Sequence, residues 1–83
     1  MVKAVVLRPA VAQELRRHGV ESGPEDTAAT LRERLNDAYL VEVRLLRERQ
    51  VRGEIPLKEY AGHVAALKAR FPLLGVPVAL WDE

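Results

Sequence analysis

The chain has 83 residues, 48% of them hydrophobic, and its 13 basic and 12 acidic side chains leave a net charge of +1. A chain of this length forms one small domain, and its balanced charge argues against a strongly basic nucleic-acid binder or anionic-membrane binder. It has no cysteine, which excludes disulfides, thiolate metal sites and a cysteine nucleophile. Ten of the basic residues are arginine, a bias typical of thermophilic or GC-rich sources.

The first residues predict a short extended segment and then a helix. Residues 2–7 are rich in valine, and Arg8 precedes a proline, which disfavours helix at that position. Pro9 suits the first turn of a helix, and Gly19 suits the position after its end. We therefore predict a helix over about 9–18.

No segment has the character of a targeting signal or of a membrane span. The apolar run at the N-terminus ends after seven residues, and no stretch approaches the roughly 20 apolar residues that a bilayer requires. We therefore expect a cytoplasmic protein that does not enter a membrane.

The loop 19–26 contains two sets of candidates for the cap of the next helix. Ser22 with Glu25 three residues later matches a capping box, and Asp26 or Thr27 matches the residue preference of an N-cap. The sequence does not decide between them.

The dominant predicted element is a helix over about 25–52, without proline or glycine inside it. A helix of this length exceeds the ~11–12 residues of an average helix and must extend beyond a small core or pack on a second copy. Its apolar residues fall on one face at a helical period: Ala28, Leu31, Leu35, Ala38, Tyr39, Leu45 and Leu46.

A turn at Gly53–Pro56 predicts a second long helix over about 56–71, stopped by Pro72. Its apolar residues recur three and four apart, a narrow seam that packs against one antiparallel neighbour: Leu57, Tyr60, Val64, Leu67 and Phe71. The remaining tail is apolar and contains Gly75 and Pro77, so we expect an irregular strap across the hairpin. The predicted fold is all-α, a single helical domain over 1–83.

Glu42 is the most unusual polar position, because it falls near the middle of the apolar stripe of the 25–52 helix. A buried carboxylate can act as a general base or a metal ligand. The structural alternative is that it pairs with a cation such as Arg49 or with a tyrosine hydroxyl, or lies at the edge of a groove. We favour the structural alternative.

His63 follows Glu59 by one helical turn, a spacing at which two side chains can share a metal ion. A complete site needs further ligands that no motif supplies, so we expect an ordinary, half-exposed histidine and no metal or other cofactor. His18 lies in the last turn of the first helix, where positive charge complements the helix dipole. Ser22 is the only serine and has no recognisable partner base, so we expect no catalytic residues and no enzyme.

Apolar residues also occur on the outward face of the long helix. Leu40 and Val51 lie about 180–200° from Leu31, among arginines and glutamates. We expect a second interface there, covered by another subunit or by the C-terminal strap with Leu80 and Trp81. These features favour a non-enzymatic interaction protein whose partner is a second copy of itself or an unknown protein.

The alternative is a DNA-binding regulator. A strand over 2–7, a helix over 9–18 and a helix from 25 onward resemble the order of ribbon-helix-helix repressors, in which paired strands lie in the major groove. The resemblance implies that alternate strand residues contact bases. Neither face carries the expected row of polar side chains; the faces are Lys3, Val5 and Leu7, and Val2, Ala4, Val6 and Arg8. We therefore expect nucleic acid to be the less favoured partner.

Overall fold

The structure is a computed structural model that describes residues 6–82. Within that range it contains three α-helices, α1 (Pro9–Arg17), α2 (Ala28–Val51) and α3 (Leu57–Ala69). Two 3₁₀ turns, Pro72–Gly75 and Val78–Leu80, follow α3. The predicted all-α class with a long helical hairpin is confirmed.

Helix α1 begins and ends where proline and glycine predict. Arg8 is extended, at φ −60° and ψ 140°, and Pro9 occupies the first helical position, where its missing N–H costs no hydrogen bond. Gly19 has φ +76°, a left-handed conformation that a side chain disfavours, and it ends the helix. Val11 and Leu15 form the buried face of this helix.

Thr27 and Thr30 cap the start of α2. The Thr30 N–H donates to Thr27 Oγ1 at 3.2 Å, and the Thr27 N–H donates to Thr30 Oγ1 at 2.9 Å. This is a capping box with threonine in the place of the usual glutamate. The Ser22 and Glu25 pair, one of the two predicted candidates, is not the cap, so α2 begins at Ala28.

Asp26 folds the loop before α2 instead of capping the helix. Its Oδ2 accepts the Gly23 N–H at 2.7 Å, and its carboxylate pairs with both terminal nitrogens of Arg34 at 2.7 and 2.9 Å. The Gly23 hydrogen bond lowers the pKa of Asp26 below its usual value, and Arg34 lowers it further against an opposing effect of burial.

A glycine turn joins α2 to α3. Gly53 adopts φ +82°, and the Glu54 N–H donates to the Arg49 carbonyl at 2.9 Å, which closes the last turn of α2. Pro56 is extended and precedes the first residue of α3. Ile55, between them, is buried at the tip of the hairpin.

The C-terminal tail packs back on the start of the chain. Both 3₁₀ turns contact α2, as the predicted strap requires. Leu7 forms an isolated antiparallel bridge with Asp82, and the Arg8 N–H donates to the Trp81 carbonyl at 3.0 Å. Most of the predicted strand over 2–7 lies outside the described residues, and the described part, Val6 and Leu7, forms this single bridge.

The hydrophobic core lies at one end of a molecule that measures 51 × 18 × 17 Å. We call this part the core end: α1, residues 18–39, residues 67–69 and the tail. We call residues 40–66, the remainder of the hairpin, the overhang. All buried members of the main core belong to the core end: Val11, Leu15, Val20, Ala28, Leu31, Leu35, Leu67, Phe71, Leu73 and Trp81.

Candidate interaction surface

Large exposed apolar side chains are concentrated in the overhang. Val51 and Leu57 are 72% and 73% exposed, and Val41 and Leu45 are about half exposed, at 52% and 49%. Leu40 is the fifth, and among residues 6–82 only Val6 and Leu80 of comparable size and exposure lie elsewhere. Where such side chains are contiguous on a small protein, they typically mark a surface where another molecule binds.

Val41 and Leu45 continue the stripe of α2 that the core end buries. Leu35 and Leu45 both lie within about 40° of Leu31 on the helical wheel, and Val41 lies about 80° from it. Leu31 and Leu35 are fully buried in a core cluster that also contains residues of α1, the end of α3 and the tail. Further along α2 no element of residues 6–82 covers the same stripe, so Val41 and Leu45 are exposed to solvent.

The predicted interface residues do not form one surface. Leu40 and Val51 are exposed on the far side of α2, and Leu80 is half exposed on the tail. Trp81, in contrast, is fully buried in the core, and its indole N–H donates to the Val76 carbonyl at 3.1 Å. The tail thus carries Trp81 into the core end and does not cover Leu40 and Val51, because it folds against the start of α2.

Glu42 is half-buried and lines a cavity of about 240 Å³ where the overhang meets the core end, a place at a groove edge that is one of the predicted alternatives. Among residues 6–82 its carboxylate has no hydrogen bond and no salt bridge, so the other alternative, a pair with Arg49 within the chain, does not form. The cavity has a mixed basic and apolar lining besides Glu42: Arg17, His18, Ala38, Arg70 and Phe71.

His18 is part of an aromatic stack that joins α1 to the end of α3. Its ring lies parallel to Phe71, with centroids 4.0 Å apart, and Tyr39 meets Phe71 edge-on at 5.5 Å. His18 Nε2 is buried without a hydrogen bond in the described chain and lies 3.6 Å from Glu14 Oε1. The sequence predicts a role for His18 at the helix end but contains no signal for the stack.

His63 is exposed on α3, away from the main core. It lines a shallow groove with Glu59 and Gly62 that is separate from the cavity at Glu42. No group of three or more histidine, aspartate or glutamate side chains in residues 6–82 is arranged to hold a metal ion. Glu59 and His63 are therefore a pair without further ligands in the described chain.

Arg44 and Arg47 lie on the outward side of α2 with acidic residues near them, whereas Arg49 lies on the same side as Leu31. Arg44 and Arg47 line a shallow groove with Val51. Arg49 and Arg52 contact the Glu54 carboxylate at 3.7 and 2.9 Å. Positive charge here is partly neutralised, as expected for a solvated helix with ion pairs.

The described part of the predicted DNA-contacting segment is engaged within the chain. Leu7 forms an antiparallel bridge with Asp82, and the Arg8 N–H donates to the Trp81 carbonyl. The described residues therefore offer no specific support for the DNA-binding alternative.

No helix among residues 6–82 is both long and apolar enough to cross a lipid bilayer. No protein-family model matches the sequence, and comparisons with curated proteins and with solved structures find no similar protein. What the chain does is therefore inferred from its own residues and contacts.

Proposed function

We propose that this protein is a non-enzymatic helical interaction module that forms a homodimer through the overhang. The observation that carries the proposal is the contrast along α2: the same apolar stripe is fully buried at Leu31 and Leu35 and half exposed at Val41 and Leu45. A second hairpin laid on the overhang completes the cover that α1 and the tail give to the core end.

The contact face is the side of α2 that carries Val41 and Leu45. Leu40 and Val51 lie on the opposite side, 11 residues apart, with Arg44 and Arg47 between them. Their side chains form two separate apolar points within a charged surface. Val41 and Leu45 are one helical turn apart and adjoin Ala38, which packs on the main core. This continuity favours the Val41 face as the interface.

The size of this face predicts a dimer of modest affinity. Residues 40–51 span about 17 Å of helix, and an interface of that length along one side of α2 lies below the ~800 Å² per partner of standard complexes. Removing the exposed half of one leucine or valine from water contributes about 1 kcal/mol. Because association itself costs several kcal/mol, we expect a dissociation constant in the micromolar range.

A second copy fits this surface better than a strongly charged partner does. The net charge is +1, so two copies repel each other little. The face carries both positive and negative charge, because Glu42 precedes Leu45 and Arg49 follows it. Two-fold pairing brings the same patch of both copies together and is the commonest form of self-association.

Sedimentation equilibrium from about 5 to about 500 µM chain tests the proposal, since this range brackets a micromolar dissociation constant. We expect the mass to rise from monomer to dimer. Leu45→Asp should hold the chain as a monomer throughout, because it places a charge in the contact face. Leu40→Asp makes the same change on the opposite side of α2 and should still dimerise.

Two results would contradict the proposal. If the wild-type chain stays monomeric at the highest concentration, the proposed homodimer is ruled out. Dimers that dissociate on Leu40→Asp and persist on Leu45→Asp place the interface on the Leu40 and Val51 side instead. Circular dichroism of each variant checks that the helices are intact.

A further inference from the structure

We propose that the two copies pair antiparallel, with the two-fold axis beside residues 45 and 46 of α2. This inference rests on the proposed homodimer and adds its orientation and register. The charge pattern of the overhang indicates the axis, and the exposed part of the face has room for it.

The charge pattern is complementary to itself when one copy is reversed. Glu42 and Arg49 lie within about 20° of Leu31, seven residues apart on one line of α2. Glu42 has no partner among residues 6–82, and Arg49 has only the 3.7 Å contact to Glu54. With the axis between residues 45 and 46, each Glu42 faces Arg49 of the partner subunit. A parallel pair in register would instead set glutamate against glutamate and arginine against arginine.

The exposed part of the face has room for this axis. Val41 is its first exposed apolar residue, and the helix ends at Val51. The midpoint of residues 41–51 is residue 46, next to the axis that the charges indicate. Two antiparallel copies therefore cover most of each other's exposed face at this register, and a shift of one helical turn or more exposes part of it again.

The register also gives the hairpin turn a place to fit. It sets Gly53 of the partner subunit opposite Ala38, next to the cavity. Gly53 has no side chain, and no other atom of the chain lies within 4 Å of where a Cβ would be. The turn can therefore approach the core end closely.

Charge reversal tests the proposed pairing. Glu42→Arg alone and Arg49→Glu alone should each weaken the dimer about tenfold, because each creates two like-charge contacts. The double variant Glu42→Arg/Arg49→Glu should return the dissociation constant to within about threefold of wild type. Glu33→Arg and Arg47→Glu make the same charge changes away from the face and should leave it unchanged.

Disulfide cross-linking tests the axis directly, since the chain has no native cysteine. Leu45→Cys should cross-link readily with itself, because the two residues lie next to the axis. Glu42→Cys alone and Arg49→Cys alone should not, since about 10 Å of helix axis separates each residue from its copy and a disulfide needs Cα atoms within about 7 Å. A mixture of the two variants should form the mixed disulfide, and Leu40→Cys serves as the control on the other face.

The outcomes separate this inference from the proposed function. Self-cross-linking of Glu42→Cys and of Arg49→Cys, or a double charge variant no tighter than the single ones, overturns the antiparallel register while the dimer stands. A wild-type chain that remains monomeric overturns both.

Discussion

The core end and the overhang share α2, yet leucines of this helix are buried in the core end and exposed to solvent in the overhang. Leu35 is 0% exposed and Leu45 is 49% exposed, although both lie on one stripe of one helix. The difference lies in what packs around each part of α2: Leu35 belongs to a core cluster with residues of α1, the end of α3 and the tail, whereas the large exposed apolar residues of α2 lie beyond that cluster. Two helices bury only the seam between them, and a third element is needed to bury a wider stripe.

The overhang nevertheless has the local features of a well-formed hairpin. Ile55 is 2% exposed at its tip, and Gly53 has the backbone conformation that ends α2. These features hold the hairpin closed but leave its outer faces open. The core end thus supplies stability, and the overhang supplies the surface, a division that mutations in each part can test.

Trp81→Ala should have the largest effect, because this side chain is fully buried and donates a hydrogen bond to Val76. We expect a loss of about 3–5 kcal/mol of unfolding free energy, measured by urea denaturation. Leu80→Ala, next to it but half exposed, should cost less than about 1 kcal/mol. Equal losses at both positions would show that the tail does not build the core.

Leu35→Ala and Leu45→Ala compare the two regions with one substitution. Leu35→Ala should cost about 2–5 kcal/mol, and Leu45→Ala less than about 1 kcal/mol at concentrations where the chain is monomeric. Urea denaturation of both variants at the same low concentration measures the difference. Similar costs in the monomer would mean that the overhang is already covered within one chain.

Substitution of Gly53 and of Gly62 by alanine compares two glycines of the overhang that have different backbone conformations. Gly53→Ala should destabilise the chain by about 1 kcal/mol, because φ +82° disfavours a side chain. Gly62 lies inside α3 with open space around its Cα, so Gly62→Ala should stabilise by about 0.5–1 kcal/mol. The melting temperatures of the two variants should shift in opposite directions from that of the wild type. Shifts of the same sign would contradict this account of the hairpin.

Asp26→Asn should have the smallest effect and a characteristic pH dependence. The pKa of Asp26 is lowered in the folded chain by the Gly23 hydrogen bond and by Arg34. The carboxylate therefore contributes stability above its unfolded pKa of 3.8, and this stability is lost as pH falls through the lower folded pKa. Wild type should exceed Asp26→Asn in stability at pH 6, and the difference should vanish in strong acid.

Asp37→Asn is the matched control for that pH profile. Asp37 is exposed on α2 and has no salt bridge among residues 6–82. Its substitution should leave the profile of wild type unchanged. A difference between Asp26→Asn and wild type that persists below the folded pKa would show that the effect does not come from the charge.

Local sequence signals predicted the helices well. Pro9, Gly19, Gly53 and Pro72 set element ends close to the predicted positions, because proline and glycine act on the backbone itself. The start of α2 differed from the first candidate because Thr30 replaces the glutamate of the usual capping box. Boundaries that depend on one side-chain hydrogen bond are less visible in sequence than those set by the backbone.

Burial was harder to predict, because it depends on which face the tail covers. The predicted α3 seam is buried at Leu67 and Phe71, but Leu57 is 73% exposed where only α2 is available to pack. Trp81 was expected at an interface and lies in the core instead. An apolar tail has the same sequence whichever side of the hairpin it covers, and the choice depends on contacts between distant parts of the chain.

Amide chemical shifts recorded on dilution test most directly whether the overhang is covered by a second copy. Between about 500 and about 20 µM chain, we predict that shifts change at residues 40–53 of the overhang, while the Trp81 indole signal stays in place. Shifts that are independent of concentration, or that change at α1 and the tail instead, would contradict the account.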